Sequence, residues 1–287
     1  VEMPRSSGYT TALRNIGSIR NSGFELQLDG RIIDRAVKWD LGVNFSLNRS
    51  KVLVLSEDKD IFGGELDNTI LKDQLNLMRV GEPMYVFYGY VEDGYDENGH
   101  IVYKNMDDDP AITAADKTII GDPNPDFLVN LTTAVSYKGF TLSAFFQSSI
   151  GNDIYSLSMA AQAYDYGYNG NTLREVYYNH WTPENPTAKY PNLDQTSYKM
   201  SDRFVYDGSF VRLKNLELAY DVPCARSKFI KRARVYVSAQ NLFTITSYPF
   251  WDPDINANGG GSSMIQGVDS YCYPSARTYT IGCRLTF

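Results

Sequence analysis

The stretch with the clearest potential for chemistry runs from Asn105 to Asp116 and reads N-M-D-D-D-P-A-I-T-A-A-D. Its oxygen donors fall at positions 1, 3, 5, 7, 9 and 12, which is the ligand spacing of a calcium-binding loop. The donors are the side chains of Asn105, Asp107, Asp109, Thr113 and Asp116 and the carbonyl of Ala111. The first ligand is neutral, and Pro110 stands where glycine usually makes the sharp turn. Two interpretations stay open, a bound calcium or other hard cation and a solvated acidic loop.

Catalytic chemistry finds no support in the residue types and their spacing. The two histidines, His100 and His180, do not stand beside a serine or cysteine in a way that indicates an activated nucleophile. Carboxylates are so numerous that no pair stands out as a glycosidase dyad. The three cysteines lie far apart and lack a metal-binding spacing. We therefore predict that the protein is not an enzyme.

Aromatic residues make up 14% of the chain, and 22 of its 287 residues are tyrosine. Tyrosine suits both membrane interfaces and sugar-binding surfaces, because its ring is apolar and its hydroxyl needs a polar partner. Tyr166, Tyr168 and Trp181 are therefore candidates for contact with substrate. The alternative is that most aromatic side chains of this region pack against their own loop. The net charge of −7 leaves no basic stripe for phosphates, so nucleic acid is excluded as a partner.

The elements that must position these residues are β-strands. Seven segments alternate between apolar and polar side chains, as half-buried strands do: 22–31, 38–48, 126–137, 140–148, 209–220, 232–240 and 278–287. In the last, Tyr279, Ile281 and Leu285 share a face with the terminal Phe287. The alternation changes phase near Lys214-Asn215, which predicts a β-bulge. No window of about 18 apolar residues predicts a transmembrane helix.

The connections between these strands alternate in length. The long ones, 49–125, 149–207 and 241–277, all fall at the same end of the predicted strands, and short turns fall at the other. Helical turns are expected at 153–164 and at 171–181, the second capped by Asn171. Outer-membrane barrels sort their loops in this way, with short periplasmic turns and long extracellular loops. The predicted fold is therefore all-β, an antiparallel transmembrane β-barrel fragment, with an aromatic rim at Trp39, Tyr137, Phe140, Tyr220 and Phe287.

One alternative fold remains open, a secreted or surface β-sandwich that binds or cleaves glycans. The two differ in the apolar face of the strands, which a sandwich buries and a barrel presents to lipid.

Eight blocks of the sequence resemble, in order, the C-terminal part of the SusC/RagA family of TonB-dependent outer-membrane transporters of the Bacteroidetes. The resemblance extends from about residue 8 to the end of the chain. The blocks are G-E-P-M-Y-V-F-Y-G-Y-V-E-D-G (81–94), I-I-G-D-P-N-P-D-F (119–127), Y-K-G-F-T-L-S-A-F-F-Q (137–147), W-T-P-E-N-P (181–186), G-S-F-V-R-L-K-N-L-E-L-A-Y (208–220), V-Y-V-S-A-Q-N-L-F-T-I-T (235–246), D-P-D (252–254) and R-T-Y-T-I-G-C-R-L-T-F (277–287).

The resemblance implies a barrel of about 22 strands around an N-terminal plug, of which this chain supplies about seven. Residues 1–287 are then the C-terminal portion of the barrel. The plug and the segment that contacts TonB are then expected to lie outside residues 1–287. The first residues, V-E-M-P-R-S-S-G, lack the charged and apolar regions of a signal peptide, so none is expected within this sequence. The protein is expected to lie in the bacterial outer membrane as a multi-pass barrel, in contact with its lipid and with its long loops extracellular.

The resemblance also implies partners and sites. It implies uptake of a glycan or peptide together with a SusD-like surface lipoprotein, energised by TonB-ExbB-ExbD through the missing N-terminal part. The acidic stretch often looks like D-x-N-x-D-G-x-I-x-x-x-D in SusC-like chains, so calcium in an extracellular loop is the one expected cofactor, and none is required. Phe287 is expected to be the signal that the barrel-assembly machinery reads.

Overall fold

The computed structural model describes residues 17–56, 59–67, 71–164, 171–224, 229–255 and 265–287. These residues form mostly antiparallel β-strands with two short helices. The strands are β1 (Gly17–Asp34), β2 (Val37–Leu55), β3 (Ile61–Phe62), β4 (Glu65–Asp67), β5 (Lys72–Gln74), β6 (Asn76–Met78), β7 (Val86–Gly89), β8 (Glu92–Tyr95), β9 (Ile101–Tyr103), β10 (Thr118–Gly121), β11 (Phe127–Tyr137), β12 (Phe140–Ile150), β13 (Asp153–Ser156), β14 (Val205–Asp207), β15 (Phe210–Val222), β16 (Arg232–Thr246), β17 (Val268–Asp269) and β18 (Thr278–Thr286). The helices are α1 (Leu157–Tyr164) and α2 (Arg174–Tyr178), with 3-10 turns at Ala114–Asp116 and Asp202–Phe204.

The long strands form one seven-stranded sheet in the order β1-β2-β11-β12-β15-β16-β18. Each of the seven predicted segments is one of these strands, and every neighbouring pair is antiparallel. Within the described residues, β1 and β18 are the two edges of the sheet. An open edge leaves a row of backbone N–H and C=O groups without a strand partner.

The two faces of this sheet differ in chemistry, as the alternation predicts. One face carries aromatic and aliphatic side chains that oppose one another in register, such as Leu142 with Leu218 and Val237 with Ile281. These side chains are exposed, and Ile281 is 86% accessible. The other face carries amides, hydroxyls and charges. No second sheet covers the apolar face in the part of the chain that the structure describes, so the β-sandwich is not the fold observed.

The predicted bulge is present in β15. Its register against β16 shifts between Leu213 and Asn215, and the register of β12 against β15 shifts between Phe145 and Phe146. The extra residue lets Leu213 and Leu216 face the same apolar side although three positions separate them.

The tight turns lie at one end of the sheet. Lys138 and Gly139 join β11 to β12, and both have positive φ, 49° and 86°. Two successive residues with positive φ define the two-residue hairpin turn whose twist matches the flanking strands. Tyr137, Phe140 and Tyr220 form one cross-strand row beside this turn, and the rings of Phe140 and Tyr220 lie 4.5 Å apart. Aromatic side chains therefore mark this end of the sheet, as predicted.

The three long connections meet at the opposite end, and we call them loop A (56–126), loop B (151–209) and loop C (247–277). The buried hydrophobic core of the described residues lies in these loops rather than in the sheet. Phe87 from loop A packs on Tyr155 from loop B, with 6.1 Å between ring centroids, and Val268 of loop C belongs to the same cluster. The loops therefore form one layer with its own core.

Loop B contains the expected helical turns, but two details of the prediction are wrong. Residues Asp153–Ser156 form β13, which pairs with β14 and β17. The second helix begins at Arg174, and its N-cap position is Leu173 with no side-chain cap. The predicted cap, Asn171, therefore lies before the helix. Thr172 donates its hydroxyl to the carbonyl of Gln162 in α1 at 2.9 Å. The two helices of the described residues, α1 and α2, are too short to span a bilayer.

Candidate functional site

The acidic stretch of loop A is ordered around Asp116, which is fully buried. One carboxylate oxygen accepts the N–H of Met106 and the other accepts the N–H of Thr113, each at 2.7 Å. These hydrogen bonds favour the ionised form and lower the pKa of Asp116 below its ordinary value. The hydroxyl of Thr113 caps the 3-10 turn that carries Asp116. The last residue of the predicted calcium loop therefore closes the loop onto itself.

The other predicted ligands bind backbone N–H groups of the same stretch. The side-chain oxygens of Asn105, Asp107 and Asp109 each accept from the residue two places on, at 3.1, 2.8 and 3.0 Å, and Ala111 is the last of these donors. Such turns hold the loop without an ion. Within the described residues, no group of three or more Asp, Glu, His or Cys side chains is arranged to hold a metal. Calcium binding at this loop stays a prediction.

The aromatic candidates of loop B have different positions. Tyr166 and Tyr168 lie outside the described residues. Trp181 is half-buried, and its indole lies so close to Gly99, which has a φ of 80°, that a Cβ there would clash with the ring. Tyr164 is buried and stacks on Tyr198, with 3.8 Å between centroids. Trp181 therefore joins loop B to loop A, and its contact with substrate stays a prediction.

The last strand and its aromatic residue lie at the edge of the sheet, at the end with the short turns. β18 pairs with β16 from Thr278 opposite Gln240 to Thr286 opposite Arg232. Phe287 follows directly and is 71% exposed. Recognition of Phe287 by the barrel-assembly machinery stays a prediction.

A buried arginine attaches loop C to the polar face of the sheet, a feature that strand periodicity did not reveal. Arg212 of β15 is 1% exposed and donates to the carboxylate of Asp252. It also donates to Asp254 at 3.3 Å, to Ser275 at 3.2 Å and to Thr244 at 2.9 Å.

The carboxylate of Asp252 is stabilised in its ionised form although it is buried. Burial raises the pKa of Asp252. The pKa is lowered by the N–H groups of Ser275 and Asp254, which donate at 2.8 and 2.9 Å, and by the guanidinium of Arg212, and the net result is a decrease. A buried charge pair of this kind requires both members, because either one alone is left without compensation.

Loops A and B are joined by a second ion pair. Arg203 donates through Nε to Glu92 at 2.7 Å, and Ser201 donates to the other oxygen of the same carboxylate at 2.6 Å. Arg203 also contacts the hydroxyl of Tyr95 at 3.1 Å and the carbonyl of Lys189. Burial lowers the pKa of Arg203, but the hydrogen bond and charge of Glu92 raise it by more than burial lowers it, so this guanidinium stays charged.

A third polar contact joins loops B and C. Asp269 is 2% exposed and accepts from Tyr248 at 2.6 Å and from Ser158 at 3.1 Å. The hydroxyl of Ser156 donates to the phenol oxygen of Tyr248 at 2.9 Å, and burial raises the pKa of Tyr248 above its ordinary value. The three contacts hold the loops in one arrangement above the sheet.

Two cavities lie where the loops meet the polar face of the sheet. The first, about 280 Å³, is bounded by the ends of β2 and β11, and the second, about 250 Å³, by β11, β12 and loop C. Pro125 and Leu128 line both.

Known proteins resemble this chain in both sequence and fold. No protein-family model matches the chain. The TonB-dependent receptor P3 of Formosa agariphila is 32% identical over 99% of this chain, and the TonB-dependent receptor SusC of Bacteroides thetaiotaomicron is 28% identical over all of it. A solved structure of the RagAB peptide transporter superposes on 100% of the chain with a TM-score of 0.80 at 27% identity.

The chain is similar over its whole length to TonB-dependent receptors, SusC among them, and to the RagAB transporter. This confirms the resemblance drawn from the eight blocks, and it confirms the predicted fold of an antiparallel transmembrane barrel fragment. The chain spans about 30% of the length of the curated relatives it matches and 31% of the solved chain.

The SusC/RagA-like blocks meet in space at the contacts described above. The block 208–220 contains Arg212 and the D-P-D block supplies Asp252 and Asp254, so two blocks separated in sequence are joined by one buried ion pair. The block 119–127 contributes Asp126, which pairs with Arg49 of β2 at 2.6 Å. Because the pair of Asp126 with Arg49 is exposed, the buried pair of Arg212 with Asp252 is the contact of these blocks that holds loop C on the sheet.

Proposed function

We propose that residues 1–287 form the C-terminal part of the barrel wall of an outer-membrane nutrient importer. The observation that supports this proposal best is the sheet itself, which has one exposed apolar face, one polar face and two open edges. In hydrocarbon each unpaired backbone group costs several kcal/mol, about 2–7 on common scales, so such a sheet needs further strands on both edges. The relatives are about three times as long as this chain, which leaves room for those strands, a plug and a segment that contacts TonB.

In the proposed orientation loops A, B and C are extracellular and the turn at Lys138-Gly139 faces the periplasm. The sorting of loop lengths by end supports this orientation. The loop layer then lies where nutrient arrives, and a SusD-like lipoprotein docks against it. TonB with ExbB and ExbD supplies the energy through the plug side.

The substrate of the proposed importer is an oligosaccharide or a peptide, taken up without chemical change. Matched relatives are receptors and a peptide transporter, and this supports a role without catalysis. The RagAB structure favours a peptide by likeness, whereas the resemblance to the SusC/RagA family implies glycans as well.

Surface labelling of the whole gene product tests the proposal. An epitope inserted beside Tyr273 of loop C, which is 89% exposed, should be accessible to antibody on intact cells. The same epitope in the connection 223–231, at the opposite end of the sheet, should be accessible only after the outer membrane is permeabilised. Equal labelling of both sites on intact cells would contradict the orientation, and recovery of the protein in the soluble fraction would contradict the importer.

Copurification tests the partner. A SusD-like lipoprotein should remain bound when the gene product is extracted in mild detergent. Its release by substitutions on the loop layer, and not by substitutions at the turn end, is the expected result.

A further inference from the structure

A basic cavity lies at the end of the sheet with the short turns. It encloses about 530 Å³ and is bounded by β15, β16 and β18. Its charged lining consists of four basic side chains and one carboxylate: Lys231, Arg232, Arg234, Arg284 and Asp221. The chain as a whole carries a net charge of −7, so this excess of positive charge is local.

Two of the arginines lie directly opposite each other. Arg234 of β16 pairs in register with Arg284 of β18, and Arg232 lies two residues before Arg234 on the same face. This is the polar face, because the alternate positions carry the apolar pair of Val235 with Cys283. Like charges directly opposite in neighbouring strands destabilise a sheet. Anionic groups beside the guanidinium groups would offset this repulsion, and the planar fork of arginine suits carboxylates.

The acidic side chains of the sheet pair with only one of these arginines. Arg234 lies 3.4 Å from both Glu217 and Asp221. Arg232 and Arg284 are exposed, and neither forms an ion pair with any residue that the structure describes. The cavity therefore offers two guanidinium groups to negative charges from outside residues 1–287.

These charges have to approach from above the polar face. β16 is paired on both sides, by β15 and β18, so a further barrel strand can lie only beyond β18. Strands are about 4.8 Å apart, which places such a strand about 9.6 Å from β16. Phospholipid headgroups are excluded as well, because in the proposed barrel lipid contacts the apolar face and the polar face encloses the lumen. A segment inside the lumen can contact Arg232 and Arg284 together.

We propose that this cavity holds acidic side chains of the plug, the segment of the gene product expected to precede residue 1. The inference rests on the proposed function, because the polar face encloses such a segment only in a barrel. The curated relatives are about three times as long as this chain, which leaves room for that segment. Aspartate or glutamate side chains of the plug pair with Arg232 and Arg284, and these ion pairs hold the plug against the wall at the periplasmic mouth.

Carbodiimide coupling tests this contact in the whole gene product, in isolated outer membranes. The reagent joins an amine to a carboxylate that touches it, so the variant is Arg284→Lys, which keeps the charge and supplies the amine. The matched control is Arg35→Lys, because Arg35 lies in the turn between β1 and β2 at the same end of the sheet but does not line the cavity. Coupling of Lys189 to Glu175, which are exposed and 2.8 Å apart, shows that the reaction works in each sample.

Mass spectrometry of the Arg284→Lys protein should identify a peptide pair that joins position 284 to an aspartate or glutamate of the plug. Any link from position 35 to the plug should form with at least tenfold lower yield. Heat-modifiable migration shows that each variant is folded. Arg232→Lys is measured in the same way and replaces Arg284→Lys if that variant does not fold.

Four results would overturn the inference: no link from position 284, links only to residues within 1–287, a link only to another barrel strand, or an equal yield from position 35. None of them affects the importer proposal, which fails if the protein is missing from the outer membrane.

Discussion

Arg212→Met should detach loop C from the sheet while the sheet itself stays intact. The substitution removes the cation beside Asp252 and leaves that buried carboxylate with two backbone N–H donors, from Ser275 and Asp254. Breaking one side of a buried ion pair costs about 3–5 kcal/mol. Because the two N–H groups remain, we expect about 3 kcal/mol, which raises the population of the detached loop by roughly 100-fold.

Limited proteolysis of the whole gene product measures this change. Cleavage within 247–277 should accelerate strongly in Arg212→Met, while heat-modifiable migration of the barrel is retained. Arg212→Met/Asp252→Asn removes the unpaired charge as well, so it should recover part of the protection. Arg31→Met is the matched control, because the pair of Arg31 with Asp40 is exposed and should contribute little.

The pH dependence gives an independent check. The pKa of Asp252 is lowered in the folded state, so its contribution to stability is present above its ordinary value of 3.8 and is lost as the pH falls below it. Protection of loop C in the unchanged protein should therefore decrease below about pH 3.8. Equal cleavage of the unchanged protein and Arg212→Met at pH 7 would refute the reasoning, because Arg212 would then not hold the loop.

Three further predictions concern the terminus, the acidic loop and the isolated chain. Deletion of Phe287 should lower the amount of protein in the outer membrane. The melting temperature of the protein that reaches the membrane should be nearly unchanged, since the ring contributes interfacial burial on the order of 2 kcal/mol. Normal abundance of the deletion variant would argue against an assembly signal. Calcium should slow proteolysis of loop A in the unchanged protein and in the control Asp93→Asn, but not in Asp107→Asn/Asp109→Asn. Equal rates of cleavage of the unchanged protein with and without calcium would favour the solvated loop. Residues 1–287 expressed alone should not give a heat-modifiable monomer in detergent, because both edges of the seven-stranded sheet remain open.

The seven long strands could be predicted from the sequence because each has one apolar and one polar face. The same alternation is found whether the apolar face contacts lipid or a protein core. It also locates the bulge, since Leu213 and Leu216 cannot share a face without an extra residue. The short elements of the loops could not be predicted in the same way. β13 is a strand because β14 and β17 pair with it, and its own four residues carry no such signal.

The polar contacts of the loop layer were also beyond sequence reasoning. Arg212 and Asp252 are 40 residues apart, and nothing in their local spacing shows that they form a buried pair. The D-P-D block was a signal, but its partner became visible only in the fold. Asn130 and Gln147, which line the second cavity, come from separate strands, so only strand register shows that they lie opposite each other.

Alternating accessibility along β18 tests the central claim most directly, namely that the apolar face of the sheet contacts lipid. Spin labels are placed singly at positions 278 to 286 of the whole gene product, from which the native cysteines have been replaced by serine, in lipid bilayers. Collisions with oxygen, which concentrates in lipid, should be most frequent at 279, 281 and 285, and collisions with a water-soluble nickel chelate should be most frequent at 278, 280 and 286. Equal values along the strand, or a reversed alternation, would contradict the claim that this sheet is a barrel wall.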